Sequence, residues 1–498
     1  MEHKASPSLG SEAVRLTTSK VLTTGITMIT SMLLARFRTI EEYGTYSQLL
    51  LVINLFVSFL MLGLPNSINF FLARAESEED KQRFLSVYYT LSTLLSVVIG
   101  ASLVVSIPLI EAYFHNQSIR SFVFFLFLFP WTSIITSSIE NVYVVYQKAQ
   151  RLMLFRTVYS ASVLLTVLVV QWLGYGFKVY MVVFTIVNVF YAFFVYAIAS
   201  KLCGRIRPLF DKSIIRAVFV FSIPMGLSTV VGTLNTEIDK LLIGYLMNTE
   251  QLAIYSNAAK ELPLIMISSS ITAVLLPQIA RMMKQDNKKQ AVQLWSIATE
   301  LAFIFISFIV FGVFTYAEEA MTFLYSSKYL AGVGVFRVYT LNLLLRCTYF
   351  GMVLNACGET KKIFYCSVLS LGLNLILNPL FYWLFGMIGP AIATFIAILI
   401  LLLVQLRMTA KTGCLRFSEV FPWRKIAIIL LINIGFAVVF WFIKRILPLE
   451  KMTGDVLESI ILGGVWTIMY LLLMRMRIRK NWHALNDGGN GQILWRIN

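Results

Sequence analysis

Apolar runs long enough to cross a bilayer follow one another along the chain and are separated by short polar breaks. A membrane-crossing helix needs about 20 mostly apolar residues, so each run predicts one span. The first run carries several threonines, but hydroxyl-rich helices commonly pack on other membrane helices. The predicted spans are 14–37, 44–72, 84–110, 121–147, 153–173, 177–200, 213–247, 252–280, 291–316, 332–356, 363–385, 388–408, 420–443 and 456–476.

The composition is that of a protein dissolved in lipid. Of the 498 residues, 58% are hydrophobic and only 13% are charged, whereas soluble domains are about a quarter charged. Because backbone polar groups must be satisfied inside the bilayer, apolar runs of this length predict helices. The sequence therefore predicts an all-α polytopic membrane protein of about fourteen transmembrane helices.

The positive charge of the chain, a formal +17, reports its topology. Most of the 42 lysines and arginines fall on alternate loops, including 201–216, 281–289 and 407–425. Short cytoplasmic loops carry such an excess, so these loops and both termini are predicted to face the cytoplasm. We therefore expect no nucleic-acid partner, and membrane lipids are the partners that the basic loops would attract.

The absence of several motifs argues against an enzyme. Five cysteines without CxxC spacing and three histidines without HExxH predict neither a disulfide framework nor a metal site. No Walker A motif is present, and no cofactor is predicted. The loops on the predicted outer side are short, which argues against the extracytoplasmic region that a polysaccharide polymerase would use. The chain is predicted to be a transporter.

Two stretches, one in each half of the chain, share a pattern. Leu33–Ser47 reads LLARFRTIEEYGTYS, and Leu242–Ser256 reads LIGYLMNTEQLAIYS. In both, a helix end is followed by an acidic turn and by Tyr-Ser in the next helix, with the same direction through the membrane, as in a parallel repeat. The predicted organisation is an N-lobe in 1–200 (helices 1–6), a cytoplasmic linker in 201–216, a C-lobe in 213–411 (helices 7–12), helices 13 and 14 in 412–480, and a cytoplasmic tail in 481–498.

Short motifs in spans 1–2 and 7–8 resemble those of one transporter family. The motifs are Leu33-Leu34-Ala35-Arg36, Glu42-Tyr43-Gly44, Gly63-Leu64-Pro65, Asp239-Lys240-Leu241-Leu242-Ile243-Gly244 and Tyr255-Ser256-Asn257-Ala258-Ala259. They resemble the O-antigen and capsule flippases of the polysaccharide exporter family, within the multidrug/oligosaccharidyl-lipid/polysaccharide exporter (MOP) superfamily. Leu252-Ala253 departs from the Leu-Gly pair that is usual there.

The resemblance implies two six-helix lobes around a central cavity, two further C-terminal helices, and alternating access. It implies that an undecaprenyl-pyrophosphate-linked oligosaccharide is flipped to the outer leaflet of a bacterial inner membrane for O-antigen, capsule or exopolysaccharide synthesis. A polysaccharide polymerase and a chain-length regulator are candidate partners, and a monomer is expected. Two alternatives stay open: an ion-coupled multidrug or small-molecule exporter of the same superfamily, and a membrane polysaccharide polymerase.

Spans 7 and 8 carry ionisable residues, which are costly in a bilayer unless they meet a partner or a wet cavity. Lys240 and Lys260 are similarly distant from the turn between the two helices, and hence similarly deep. They are predicted either to present positive charge to pyrophosphate or to pair between the helices, for instance Lys260 with Asp239. Glu237, Asp239 and Glu261 are the predicted ion-coupling carboxylates.

Span 10 places Tyr339, Asn342 and Arg346 at helical spacing on one face. Arg346 falls near the middle of the bilayer, where snorkelling does not explain it, and its planar fork suits two phosphate oxygens. We predict that Arg346 binds the pyrophosphate with Asn342 and Tyr339 beside it. The alternative is a buried ion pair with an acid from another helix, for which Glu237, Asp239 and Glu261 are the candidates.

Three further charged residues lie near helix ends. Arg36 is at the outer end of span 1, where the family resemblance implies a cavity role, while its depth equally allows snorkelling to the interface. Glu140 and Glu300 lie near inner helix ends and are predicted to be solvated termini instead of proton-coupling sites.

Overall fold

The computed structural model describes residues 9–446 and 455–489, with side chains from 20 to 446 and from 458 to 485. Within these residues the chain is almost entirely helical and contains no strand, so the predicted all-α class is confirmed. Residues 1–8 of the predicted N-lobe and 490–498 of the predicted tail lie outside the described residues.

The chain forms two compact units, Met1–Ala253 and Ile254–Asn498. The helices that lie in the first unit, the last of which continues into the second, are α1 (Leu9–Phe37), α2 (Ile40–Leu60), α3 (Ser67–Arg74), α4 (Glu78–Val105), α5 (Ile107–Phe114), α6 (Val123–Val145), α7 (Ala149–Trp172), α8 (Phe177–Cys203), α9 (Lys212–Leu246) and α10 (Thr249–Ala258).

The second unit continues the chain with ten further helices among the described residues. They are α11 (Ile265–Lys284), α12 (Lys288–Thr315), α13 (Ala317–Tyr325), α14 (Val333–Asn342), α15 (Met352–Ala356), α16 (Thr360–Phe385), α17 (Gly389–Gly413), α18 (Phe417–Val420), α19 (Trp423–Ile446) and α20 (Asp455–Gly489). A 3-10 turn at Leu343–Arg346 follows α14 directly.

Eleven segments of the described residues are long and apolar enough to cross a membrane. One of them, Thr360–Gly413, contains both α16 and α17. The threonine-rich α1 and the predicted span 332–356 are not among the eleven. If these two segments are added, and α16 and α17 are counted as two, the number of segments equals the fourteen predicted spans. The chain is a multi-pass membrane protein.

Several of the predicted spans are not continuous helices, which corrects the expectation from hydropathy alone. Span 3 breaks at the single residue Ser106, between α4 and α5. Longer interruptions of the α-helix lie at 61–66 in span 2, at 259–264 in span 8 and at 343–351 in span 10. Non-helical backbone at membrane depth is tolerated where protein buries it or where it lines a watery cavity. These interruptions are therefore where polar chemistry is expected.

The first interruption has a cause in the backbone. Gly63 has a φ of 75°, the left-handed region that glycine enters readily. Pro65, the second residue of the 3-10 turn Leu64–Asn66 that follows, has no N–H to donate. A Cβ on Gly63 would lie 2.6 Å from the backbone N of Gly226 in α9. Glycine is therefore required both by the turn and by the close approach of α9.

The segment between α8 and α9, residues 204–211, lies along α4. Gln82 Nε2 donates to the Arg205 carbonyl at 2.8 Å, and the Leu209 N–H donates to Thr90 Oγ1 at 3.1 Å. Arg83 forms an ion pair with Asp211. Helix α9 belongs to the first compact unit, whereas the repeat assigned it to the C-lobe, and that lobe assignment stays a prediction.

The two C-terminal helices α19 and α20 are attached to α12 by buried hydrogen bonds. Asn433 of α19 donates from Nδ2 to Ser307 Oγ at 3.1 Å. Tyr470 of α20 donates to the Ile304 carbonyl at 2.9 Å. Because an unmade hydrogen bond is expensive in a buried site, these contacts help to fix how the three helices pack.

Candidate functional site

Arg346 and Glu261 form an ion pair between two of the interrupted spans. Arg346 ends the 3-10 turn of span 10, and Glu261 lies in the non-helical stretch between α10 and α11. Arg346 Nη1 is 2.7 Å from Glu261 Oε1 and 2.9 Å from Oε2. Of the three acids proposed from sequence as partners of an intramembrane arginine, the structure pairs Glu261 with Arg346.

Most N–H groups of the Arg346 guanidinium have no hydrogen-bond partner among the described residues. It carries five N–H groups, yet within the described part of the chain only Nη1 takes part in a hydrogen bond or ion pair. The Arg346 side chain is 36% exposed and that of Glu261 is 23% exposed. The edge formed by Nε and Nη2 is therefore available to water or to an anion.

Lys260 adds a second cation at the interruption of span 8. Its Nζ donates to Asn257 Oδ1 at 3.0 Å and lies 5.8 Å from the centre of the Tyr325 ring. Lys260 is exposed and adjacent in sequence to Glu261. Its pairing with Asp239 stays a prediction, because Asp239 lies in the other unit.

Asn342 and Tyr339 are more deeply buried than Arg346. Asn342 is fully buried, and neither its Oδ1 nor its Nδ2 has a hydrogen-bond partner within the described residues. Tyr339 is also buried, with its ring edge-on to Tyr255 at 6.3 Å. Because α14 ends at Asn342 and gives way to a 3-10 turn, the helical spacing assumed from Tyr339 to Arg346 does not continue through the residues between them.

Lys240, Glu237 and Asp239 form a separate cluster on α9, in the first unit. Lys240 Nζ lies 2.8 Å from Glu237 Oε2, one helical turn away. Asp239 is buried, and its Oδ1 accepts from the Lys240 backbone N–H at 2.8 Å. The ion pair partly neutralises Lys240, so its charge is less available to a ligand than that of an unpaired lysine.

Just after the C-terminal end of α1 lies a buried arginine, Arg38, which sequence reasoning missed. Arg36 is exposed, whereas Arg38 is 6% exposed. Arg38 Nη1 donates to the Tyr175 carbonyl at 2.9 Å, and its guanidinium lies 6.0 Å from the centre of the Tyr180 ring. Arg38 follows the last helical residue, Phe37, and nothing in the local sequence indicates which of the two arginines is buried.

The expectation that Glu300 is a solvated terminus is wrong. Helix α12 begins at Lys288, so Glu300 lies several turns inside it, and its side chain is 4% exposed. Lys425 Nζ lies 2.9 Å from Glu300 Oε2. A buried carboxylate needs such a partner. Glu140 also forms an ion pair, with Arg156.

A curated relative and two solved structures are similar to this chain. "Probable low-salt glycan biosynthesis flippase Agl15" from Haloferax volcanii is 22% identical over 191 residues, which is 38% of this chain and only 40% of that relative. "Lipid II flippase MurJ, inward closed conformation" superposes with a TM-score of 0.69 at 17% identity, covering 93% of this chain and 100% of that chain.

The second structure is an inward-facing multidrug resistance MATE family transporter of the MOP superfamily. It superposes with a TM-score of 0.63 at 14% identity and covers 80% of this chain and 98% of that chain. At such identities the two superpositions show the fold, which is the helical transporter fold expected from the motifs. A family model described as "Polysaccharide biosynthesis protein" matches residues 33–333, more than half of the chain, and the chain therefore belongs to this family of polysaccharide biosynthesis proteins.

Proposed function

We propose that the chain flips a lipid-linked oligosaccharide from the cytoplasmic to the outer leaflet of the bacterial inner membrane, by alternating access, during synthesis of a surface polysaccharide. Family membership and the transporter fold support a membrane step in polysaccharide synthesis. The Haloferax volcanii relative bears the name of a probable glycan-biosynthesis flippase, and we extend that activity to this chain.

The observation that carries the proposal is that Arg346 has N–H donors without a partner among the described residues. A charged side chain in a membrane span is costly unless water or a counter-charge meets it. Glu261 engages only Nη1, so the rest of the guanidinium suits a second anion. A pyrophosphate group offers paired oxygens that match the planar fork of arginine. The proposed ligand is therefore the pyrophosphate of an undecaprenyl carrier.

The other sequence-predicted residues take supporting roles in this proposal. Positive charge comes from Lys240, Lys260 and Arg36, hydrogen bonding from Asn342 and Tyr339, and ion coupling from Glu237 and Asp239. The basic loops and both termini face the cytoplasm, where the lipid-linked sugar is assembled, and a polymerase takes up the flipped product outside. An exporter of cationic drugs is the rival function, which the positive charge of Arg346 and Lys260 disfavours.

A deletion strain tests the proposed function. Loss of the chain should leave lipid-linked oligosaccharide on the cytoplasmic leaflet and remove the surface polysaccharide, and the unaltered gene should restore it. Normal surface polysaccharide in a strain that encodes no second flippase contradicts the proposal. If such a strain instead becomes sensitive to cationic dyes, the multidrug function replaces it.

A further inference from the structure

The two oxygens of Glu261 engage the same nitrogen of Arg346. Both lie within hydrogen-bonding distance of Nη1, at 2.7 Å and 2.9 Å. In a side-on pair the two oxygens would instead take two different nitrogens of the fork. Glu261 therefore clamps one corner of the guanidinium and leaves its other edge uncovered.

The ion pair with Glu261 orients Arg346 before a ligand binds. A free arginine side chain loses rotamer entropy when it binds a ligand. A carboxylate that already holds Nη1 removes part of that loss, because the guanidinium is oriented before the ligand arrives. Arg346 is the last residue of a 3-10 turn, and the residues that follow it are not helical, so the local backbone alone does not fix the direction of the side chain.

Glu261 also changes the charge of the site. Its negative charge offsets that of the guanidinium, so an arriving pyrophosphate meets a pair without net charge instead of an uncompensated cation. Charges about 4 Å apart interact strongly at protein-like dielectric values. The Glu261 carboxylate therefore lowers the affinity of Arg346 for the anion substantially. A transporter needs such weakening, because a ligand that is bound too tightly is released slowly.

We infer that Glu261 is a positioning residue of the anion site: it presents the Nε–Nη2 edge of Arg346 to the pyrophosphate of the lipid carrier and keeps that anion releasable. This inference rests on the proposed function. Glu261 was predicted from sequence to couple an ion, and the geometry points to orientation and affinity control instead.

Three substitutions at one position separate orientation from charge. Glu261→Gln keeps the shape and an acceptor oxygen but removes the charge. Glu261→Asp keeps the charge but withdraws it by one methylene, and Glu261→Ala removes both. Glu318→Gln is the matched control, because Glu318 is another glutamate of the second unit, paired with Arg337 at 3.2 Å, and has no place in the proposed site.

The deciding measurements are affinity for undecaprenyl pyrophosphate in detergent and the rate of lipid flipping in vesicles. For Glu261→Gln we expect about tenfold tighter binding with slower flipping. Glu261→Asp and Glu261→Ala should bind more weakly, because the guanidinium loses its orientation, and Glu318→Gln should match the unaltered chain. A purely structural role would lower both quantities together with protein stability.

Specific outcomes overturn the inference. Binding by Glu261→Gln that is equal to or weaker than that of the unaltered chain contradicts it. If Glu261→Gln does not fold, unchanged affinity in Glu261→Asp contradicts it equally. The proposed function itself is contradicted if the unaltered chain binds undecaprenyl pyrophosphate no better than undecaprenol. Only the role of Glu261 is contradicted if the unaltered chain binds normally, Arg346→Ala loses binding, and Glu261→Gln does not bind more tightly.

Discussion

Arg346 and Glu261 pair at a distance of 2.7 Å although neither residue lies in an α-helix. Each stands at the interruption of a predicted span, and both side chains are partly exposed. An ion pair of this kind joins two segments that lack α-helical hydrogen bonds of their own at these points. It is both a structural contact and the centre of the proposed binding site.

These two roles are separable by a double substitution. Arg346→Ala should abolish export and also lower stability, because it strands the Glu261 carboxylate; for a partly exposed pair we expect a loss of about 1 kcal/mol. Adding Glu261→Gln should restore stability without restoring export. Membrane-fraction immunoblots and thermal melting in detergent measure the first effect, and complementation of surface polysaccharide measures the second. Recovery of export in the double variant contradicts the ligand role of Arg346.

The close approach at Gly63 gives a second prediction. Gly63→Ala places a Cβ within 2.6 Å of the Gly226 backbone and also strains a positive φ. Gly174 is the matched control, because its φ is also positive, 72°, but nothing lies within 4 Å of the added Cβ. Strain alone should cost each variant about 1–2 kcal/mol. Gly63→Ala should therefore melt at a clearly lower temperature than Gly174→Ala, and equal melting temperatures contradict the account.

The start of α9 depends on the charge of Asp211. The Asp211 carboxylate accepts from the backbone N–H of Ser213 at 2.9 Å and pairs with Arg83. The hydrogen bond from the Ser213 side chain is the main cause that lowers the pKa of Asp211 to about 2. Because this pKa is lower in the folded than in the unfolded chain, the carboxylate stabilises the fold above the ordinary aspartate pKa near 4 and progressively less as the pH falls towards 2.

Substitution of Asp211 checks this cap. Asp211→Ala should lower the melting temperature at pH 7 more than Asp211→Asn, because asparagine still caps a helix but does not pair with Arg83. The gap between the unaltered chain and Asp211→Asn should narrow as the pH falls below 4. A gap that does not change with pH indicates that the carboxylate is not charged in the way described.

How far the sequence alone predicts this structure depends on whether a feature is averaged over many residues or decided by one. The spans follow from the mean hydropathy of about 20 residues and were found. The interruptions at 259–264 and 343–351 were missed, because a few polar residues hardly change such an average. Only one local signal, Pro263, marks the first of them.

The same reasoning explains the outcome for the candidate site. Sequence reasoning selected Arg346 from its depth, and left Glu237, Asp239 and Glu261 as equal partners. The choice of Glu261 follows from the interruption of span 8, which hydropathy does not reveal. Arg38 was missed for a related reason: its burial is set by contacts with distant residues such as Tyr175.

The predicted topology is checked at the segment that lies along α4. Phe210 is 67% exposed and belongs to the basic loop that we expect to face the cytoplasm. In a background without cysteines, Phe210→Cys should resist a membrane-impermeant maleimide in intact cells and react after permeabilisation. Lys328→Cys, on a predicted outer loop, is the control that should react in intact cells. Ready labelling at position 210 from outside contradicts the topology.

The most direct test of the central claim is flipping by the purified chain. The protein is reconstituted in vesicles that contain undecaprenyl-pyrophosphate-linked sugar with a fluorescent label, under imposed proton or sodium gradients, and dithionite reports the labelled lipid that reaches the outer leaflet. The account predicts flipping well above that of protein-free vesicles, and a rate near that background for Arg346→Ala at equal protein content. Flipping by Arg346→Ala as fast as by the unaltered chain, or no flipping by the unaltered chain, would contradict it.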